Sequence, residues 1–148
     1  MNLYTQPSCV AAAQAWQQQL IAAGHALDLV VVEQPFAARW LRQMPALGLL
    51  CDEQGLWLAA DGMRMQPDWV GQLPRLKRAS IKQELVARAC QVDQAPHLID
   101  ATAGLGHDGL LMAWLGAQVT LIERHPILWV LLQASWQHAM QHPQMQAV

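Results

Sequence analysis

Charge is the first thing this chain is short of. Only 14% of its 148 residues are Asp, Glu, Lys or Arg, against 53% hydrophobic residues. That balance argues against disorder and supplies ample material for a core. The chain has no basic excess either. A net charge of −2 gives no global attraction to nucleic acid or to an acidic membrane, so any basic patch has to be local. Cysteine is scarce as well: Cys9, Cys51 and Cys90 lie far apart, odd in number and without a CxxC spacing. This excludes a disulfide framework or a cysteine zinc site and points to a reducing compartment. The N-terminus lacks a basic start followed by an unbroken apolar run. The longest uncharged apolar stretch, 126–134, is too short to span a bilayer. These absences predict a soluble, cytoplasmic protein.

What is present is organised around residues 97–109, HLIDATAGLGHDG. The run predicts a short strand ending on Asp100, a glycine turn at Gly104 and Gly106, and then a helix from about Asp108 to Leu115. A turn that tight leaves backbone amides unblocked for a nucleotide-like ligand. Gly116 closes the helix. A second strand, Gln118 to Glu123, ends on another acid, and a last helix starts near Pro126, a residue suited to the first helical position. Alternating strands and helices predict a parallel sheet buried on both faces.

The first half has a different texture. Residues 8–23 predict a helix capped by Ser8 and ended by Gly24, with Val10, Ala13, Trp16 and Leu20 on one face. A strand follows at Ala26–Val32 and one or two helical turns at Ala37–Met44. The runs 47–51 and 56–60 flank Asp52–Gly55 and predict a hairpin whose acids are solvated. Gly62, Pro67, Gly71 and Pro74 mark a loop, with one short strand expected around Trp69 and Val70. The segment 75–88 then carries five of the nine Lys and Arg residues: Arg75, Lys77, Arg78, Lys82 and Arg88. Ser80 is expected to cap a helix there that runs to about Cys90. The organisation expected is an N-terminal α+β region at 1–74, a basic helix and linker at 75–96, and a Rossmann-like portion at 97–148. The fold class is α/β.

Two nucleotide chemistries compete at the glycine turn. Gly104-Leu-Gly106-His-Asp-Gly109 matches GxGxxG, and Glu123 stands where a ribose acceptor belongs, as in an NAD(P)-binding oxidoreductase. In that fingerprint the first glycine follows the strand almost at once, so that pyrophosphate meets the helix N-terminus. Here three residues separate Asp100 from Gly104. The pattern apolar-apolar-Asp-x-Thr-x-Gly-x-Gly resembles the first motif of class I S-adenosylmethionine-dependent methyltransferases instead. Extended from Asp100 to Pro126, it resembles the RsmJ family, whose members methylate N2 of a guanine in small-subunit (16S) ribosomal RNA and whose pattern is close to DATAGLGRD followed by ERxP.

The resemblance implies that this portion is the first βαβα half of a Rossmann-like methyltransferase fold. It implies S-adenosylmethionine as cofactor, with Asp100, Gly104 and Gly106 shaping the turn and His107 and Asp108 beside the methionine end. Glu123 would take the ribose and Arg124 would lie at the adenine. It also makes Arg75, Lys77, Arg78 and Lys82 a phosphate-contacting strip for ribosomal RNA or the 30S subunit. His107 departs from the family's usual arginine, and the glycine-rich run expected before the pre-motif helix is absent. No DPMFP-like run, which holds the target amine in the family, occurs in these 148 residues. The expectation is therefore an incomplete, inactive portion of a methyltransferase. A non-enzymatic remnant that binds RNA, or pairs with itself through an exposed sheet edge as a homodimer, is the other alternative.

His138 and His142 stand four apart on the last helix, but with no third ligand in view they are read as surface residues rather than a zinc pair. Trp129, Leu132 and Trp136 are read as packing on the sheet. No metal is expected.

Overall fold

The computed structural model describes residues 1–94 and 97–146, so the end of the predicted linker at 95–96 and residues 147–148 lie outside the described residues. The chain divides into two compact units, 1–66 and 67–148.

The first unit is one five-stranded mixed sheet in the order β2-β1-β3-β4-β5. Its strands are β1 (Asn2–Thr5), β2 (Asp28–Val31), β3 (Gly48–Asp52), β4 (Gly55–Ala60) and β5 (Met63–Met65). β1 pairs in parallel with both β2 and β3, and the other two pairings are antiparallel. The crossover from β1 to β2 is helix α1 (Val10–Ala22), which buries Ala13 and Leu20. Paired bonds end it around Gly24, from Gly24 N–H to the Ile21 carbonyl (2.9 Å) and from His25 N–H to Leu20 (2.8 Å). Ser8 does not cap α1, contrary to expectation. A 3-10 turn at Pro7–Cys9 precedes the helix, and the Ser8 hydroxyl donates to Glu53 at 3.3 Å. The short helix α2 (Ala38–Leu41) links β2 to β3.

The hairpin of β3 and β4 forms as expected, with Asp52 opposite Gly55. Its acids are not both solvated, however. Asp52 accepts from the Trp57 indole (2.9 Å), from the Gln54 amide (3.0 Å) and from Arg64 (2.8 Å), and the Arg64 guanidinium lies 4.1 Å from the Trp57 ring centroid. Arg64 on β5 makes Asp52 the acceptor at the centre of this network, which the local sequence could not show. Cys51, next to it, is buried. Its thiol is pushed up to about 11 by that burial first, then by Cys9 and Asp52, against a lowering hydrogen bond with Thr5, so it stays protonated and unreactive.

The second unit begins with a 3-10 turn at Val70–Gln72, not the strand expected near Trp69, and continues into α3 (Leu73–Leu76) and α4 (Leu85–Ala89). Asp68 accepts the Gly71 amide at 2.8 Å, which closes that turn. Nor does Ser80 cap a helix. Its carbonyl takes the Gln83 and Glu84 amides as an isolated turn, and α4 starts only after an extended Glu84. Ile81 is partly buried against the cluster of Ala87, Val92, Met112 and Ala117.

β6 (His97–Asp100), α5 (His107–Trp114), β7 (Gln118–Leu121) and α6 (Pro126–Met140) follow in the expected order. β6 and β7 pair in parallel, His97 opposite Gln118 and Asp100 opposite Leu121. Gly109 lets α5 lie close on β7, because a Cβ there would collide with the Leu121 side chain. Leu121 packs on the core of Leu110, Leu111, Leu132 and Ala139, and Leu98 and Val119 on that of Met112 and Ala117. Burial on both faces does not hold among the described residues. The helices pack on one face, while His97, Ile99, Gln118 and Thr120 are exposed on the other, Ile99 by 64%. Trp136 departs from its predicted core role as well, being 52% exposed, although Leu132 is buried and Trp129 half-buried.

Leu50 is fully buried on the central strand β3, whereas Val31 is half exposed on the edge strand β2. Leu50→Ala is expected to destabilise the first unit by about 2–5 kcal/mol in urea unfolding. Val31→Ala should stay within roughly 1 kcal/mol.

Candidate functional site

The glycine turn is an extension of the β6–β7 pairing. Beyond the strands, the Ile122 amide donates to the Asp100 carbonyl (2.8 Å) and the Ala103 amide donates back to the Ile122 carbonyl (3.0 Å). The chain therefore leaves β6 attached to the end of β7. It then bends through Gly104 (φ +53°) and Gly106 (φ +73°), and Gly106 stands at the N-cap of α5. The Gly106 amide closes the bend on the Ala103 carbonyl at 2.7 Å.

Both strand-end acids hold this bend. Asp100 Oδ1 accepts the Thr102 amide at 3.1 Å. Glu123 reaches across: Oε2 accepts the Gly104 amide at 2.9 Å, and Oε1 accepts the His125 amide at 2.7 Å. The His125 amide is the main reason that the Glu123 carboxyl lies below the usual carboxylate range. The Gly104 amide adds to it, and partial desolvation opposes both. A carboxylate has about four acceptor positions, so Glu123 keeps capacity for a pair of hydroxyls after taking two amides.

His107 and Asp108 occupy the first two positions of α5, where an acid suits the positive end of the helix. His107 Nε2 is buried and has no hydrogen-bond partner among the described residues. A buried polar atom left unpaired costs free energy, and this one belongs to the residue directly after the glycine turn. Asp100, Gly104, Gly106, His107, Asp108 and Glu123 thus converge on one turn. Arg124 is exposed just beyond it.

The basic residues are placed differently. Arg75, Lys77, Arg78 and Lys82 are all exposed along α3 and the turn after it. Arg75 makes a 3.5 Å ion pair with Glu84, and Arg78 donates to the Pro74 carbonyl at 3.0 Å. Among the described residues, Lys77 and Lys82 make neither kind of contact. His138 is exposed, and no cluster of three or more metal-ligating groups exists among the described residues. Among the described residues, no helix is long and apolar enough to cross a membrane.

Sequence reasoning missed Trp69. Its indole N–H donates to the Leu105 carbonyl, inside the glycine turn, at 3.0 Å. A Cβ built on Gly106 would lie 2.7 Å from its ring and 2.6 Å from Leu132 Cδ1. The available signal was a lone tryptophan in a Pro- and Gly-rich loop, which carries no spacing rule that would connect it to a turn 36 residues away.

Residues 59–148 match the family described as SAM-dependent methyltransferase. The chain is 56% identical over 133 residues to the ribosomal RNA small subunit methyltransferase J of Acinetobacter baylyi, covering 90% of this chain and 49% of that protein. It is 53% identical over 143 residues to the enzyme of that name from Acinetobacter baumannii strain ACICU, covering 97% and 51%. Among solved structures, a SAM-dependent methyltransferase from Neisseria gonorrhoeae superposes with a TM-score of 0.72 at 26% identity, over 99% of this chain and 56% of that one. The chain spans about half the length of the curated relatives it matches.

Two outcomes are expected at the turn. Gly106→Ala combines a left-handed backbone with a clash against Trp69 and Leu132, and should destabilise the second unit by at least about 2 kcal/mol in urea unfolding. Glu123 contributes stability as an anion. That contribution is fully present above the ordinary glutamate pKa of about 4.3 and is lost as pH falls through its lowered folded value. The difference in urea midpoint between wild type and Glu123→Gln should therefore shrink as pH is lowered toward about 3, and a difference that does not change with pH would contradict this role for the carboxylate.

Proposed function

The chain belongs to the RsmJ family of SAM-dependent methyltransferases, and from that premise we propose that its glycine turn binds S-adenosylmethionine for methylation of N2 of a guanine in small-subunit ribosomal RNA. The observation that carries the cofactor reading is Glu123. It is an ionised acceptor at the end of β7, fastened to the Gly104 amide and still able to accept two hydroxyls from a ribose. The ligand has no pyrophosphate to place on the helix N-terminus. Its amino acid end would lie instead along the turn between Asp100 and Asp108, with the unpaired His107 Nε2 nearby. Arg124 would flank the adenine. The cofactor supplies an electrophilic methyl group, and the residues of this chain bind and orient it.

The guanine-N2 specificity rests on the resemblance of Asp100–Asp108 and Glu123–Pro126 to the family motifs. On this reading the substrate is ribosomal RNA or the 30S subunit, reached through phosphate contacts from the basic strip, above all from Lys77 and Lys82. Self-association through the exposed edge of the β6–β7 pair belongs to the same reading, supported by the exposure of Ile99 on β6, and light scattering that shows a monomer would remove this part of the proposal.

Isothermal titration of this chain should give saturable binding of S-adenosylmethionine and none of NAD. Glu123→Gln should weaken the binding by about tenfold, the equivalent of one charge-assisted hydrogen bond. Tight NAD binding without S-adenosylmethionine binding would sink the assignment. A polypeptide of just these 148 residues is expected to transfer no methyl group to hypomethylated small subunits. In-line transfer needs the target nitrogen held behind the methyl carbon, and no DPMFP-like run occurs here to hold it. Measurable incorporation would contradict that part. In RNA binding, Lys77→Ala and Lys82→Ala should each lower the slope of log affinity against log salt by about 1.

A further inference from the structure

The peptide unit between Leu105 and Gly106 is gripped at both ends. Its N–H donates to the Ala103 carbonyl at 2.7 Å, and its carbonyl accepts the Trp69 indole N–H at 3.0 Å. A peptide is planar and rigid, so two hydrogen bonds on opposite ends leave it one orientation. That orientation sets Gly106 at φ +73° and hence the direction in which the first amides of α5 point. The local sequence supplies only the inner bond. The outer one comes from a buried side chain, Trp69, which is 5% exposed and packed in the core with Ala103, Leu110 and Leu132.

Trp69 is itself held in place. The Ser135 hydroxyl of α6 donates to the Pro67 carbonyl, two residues before it. Asp68 accepts the Gly71 amide, and the Trp69 carbonyl accepts the Gln72 amide at 3.1 Å. The indole is thus presented from a backbone already fixed on both sides. Its ring fills the space where a side chain at position 106 would otherwise go.

We propose that Trp69 is a positioning residue for the cofactor turn: its indole N–H fixes the Leu105–Gly106 peptide and thereby pre-orders the amides that meet the ligand. This rests on the assignment of S-adenosylmethionine to that turn. A turn that is already ordered loses no further freedom when the ligand binds, so the affinity is higher.

The test uses this chain in two forms. Trp69→Phe keeps an aromatic ring and removes the donor. Replacement of Trp69 by benzothienylalanine keeps the indole shape and substitutes sulfur for the N–H. Amide hydrogen exchange without ligand should quicken about tenfold at Gly104 and Gly106 in both forms, with the amides of α1 unchanged. By calorimetry, the affinity for S-adenosylmethionine should fall by a similar factor. Wild-type exchange rates at the turn in the benzothienyl form would overturn the proposal. So would general unfolding of both forms, which would make Trp69 a core residue and nothing more. If wild type binds no S-adenosylmethionine, the functional assignment fails, while the exchange measurement still decides whether Trp69 orders the turn.

Discussion

One carboxylate ties the second unit's two loops together. Glu123 follows β7 and takes an amide from its own loop, at His125, and another from the preceding loop, at Gly104. Parallel strands need long crossovers, so the two loops meet only because β6 and β7 are adjacent and in register, Asp100 opposite Leu121. With that register set, the backbone bonds between Asp100, Ala103 and Ile122 carry the pairing past the strand ends. The glycine turn is then suspended from β7 as much as it grows out of β6. An acid at this position acts as a structural clamp, and in the proposed site the same carboxylate would accept the ligand's hydroxyls.

The same economy recurs at the start of α5. Glycine at 106 is required twice, once for its left-handed backbone and once because Trp69 and Leu132 occupy the space of a Cβ. Trp69 in turn is both a core side chain and a hydrogen-bond donor to the turn. Groups that serve packing and the site together leave little room for substitution, because a change made for one role disturbs the other. The first unit shows a comparable arrangement without a ligand motif: Asp52, Trp57 and Arg64 satisfy one another at the β3–β4 hairpin. A half-buried carboxylate there is tolerable because three donors meet it.

Local signals were strong enough to place most regular elements. Proline at the start of α6, glycines after α1 and α5, the β-branched run of β2 and the two-sided apolar hairpin all act over a few residues and are found where expected. The failures share one cause. β1 is four residues long and owes its existence to partners on both sides, residues 28–31 and 49–51. Ser8 and Ser80 have the chemistry of caps, but Glu53 engages the first, and Ile81 beside the second packs against a cluster drawn from distant residues. Trp136, expected on the sheet, remains half exposed.

Spacing along the chain was enough to read the family and the order of strand, glycine turn, helix, strand and acid. Those features depend on spacing along the chain, and a thirteen-residue motif contains all of its own spacing. Only the tertiary structure decided how the turn is held. The Glu123 bond to Gly104 spans 19 residues and the Trp69 bond to Leu105 spans 36. Hydrogen bonds require donor and acceptor within about 3 Å, and no local pattern specifies which distant groups folding will bring that close. The one open face of the β6–β7 pair was decided in the same way, by where the helices pack and not by the apolar content of the strands.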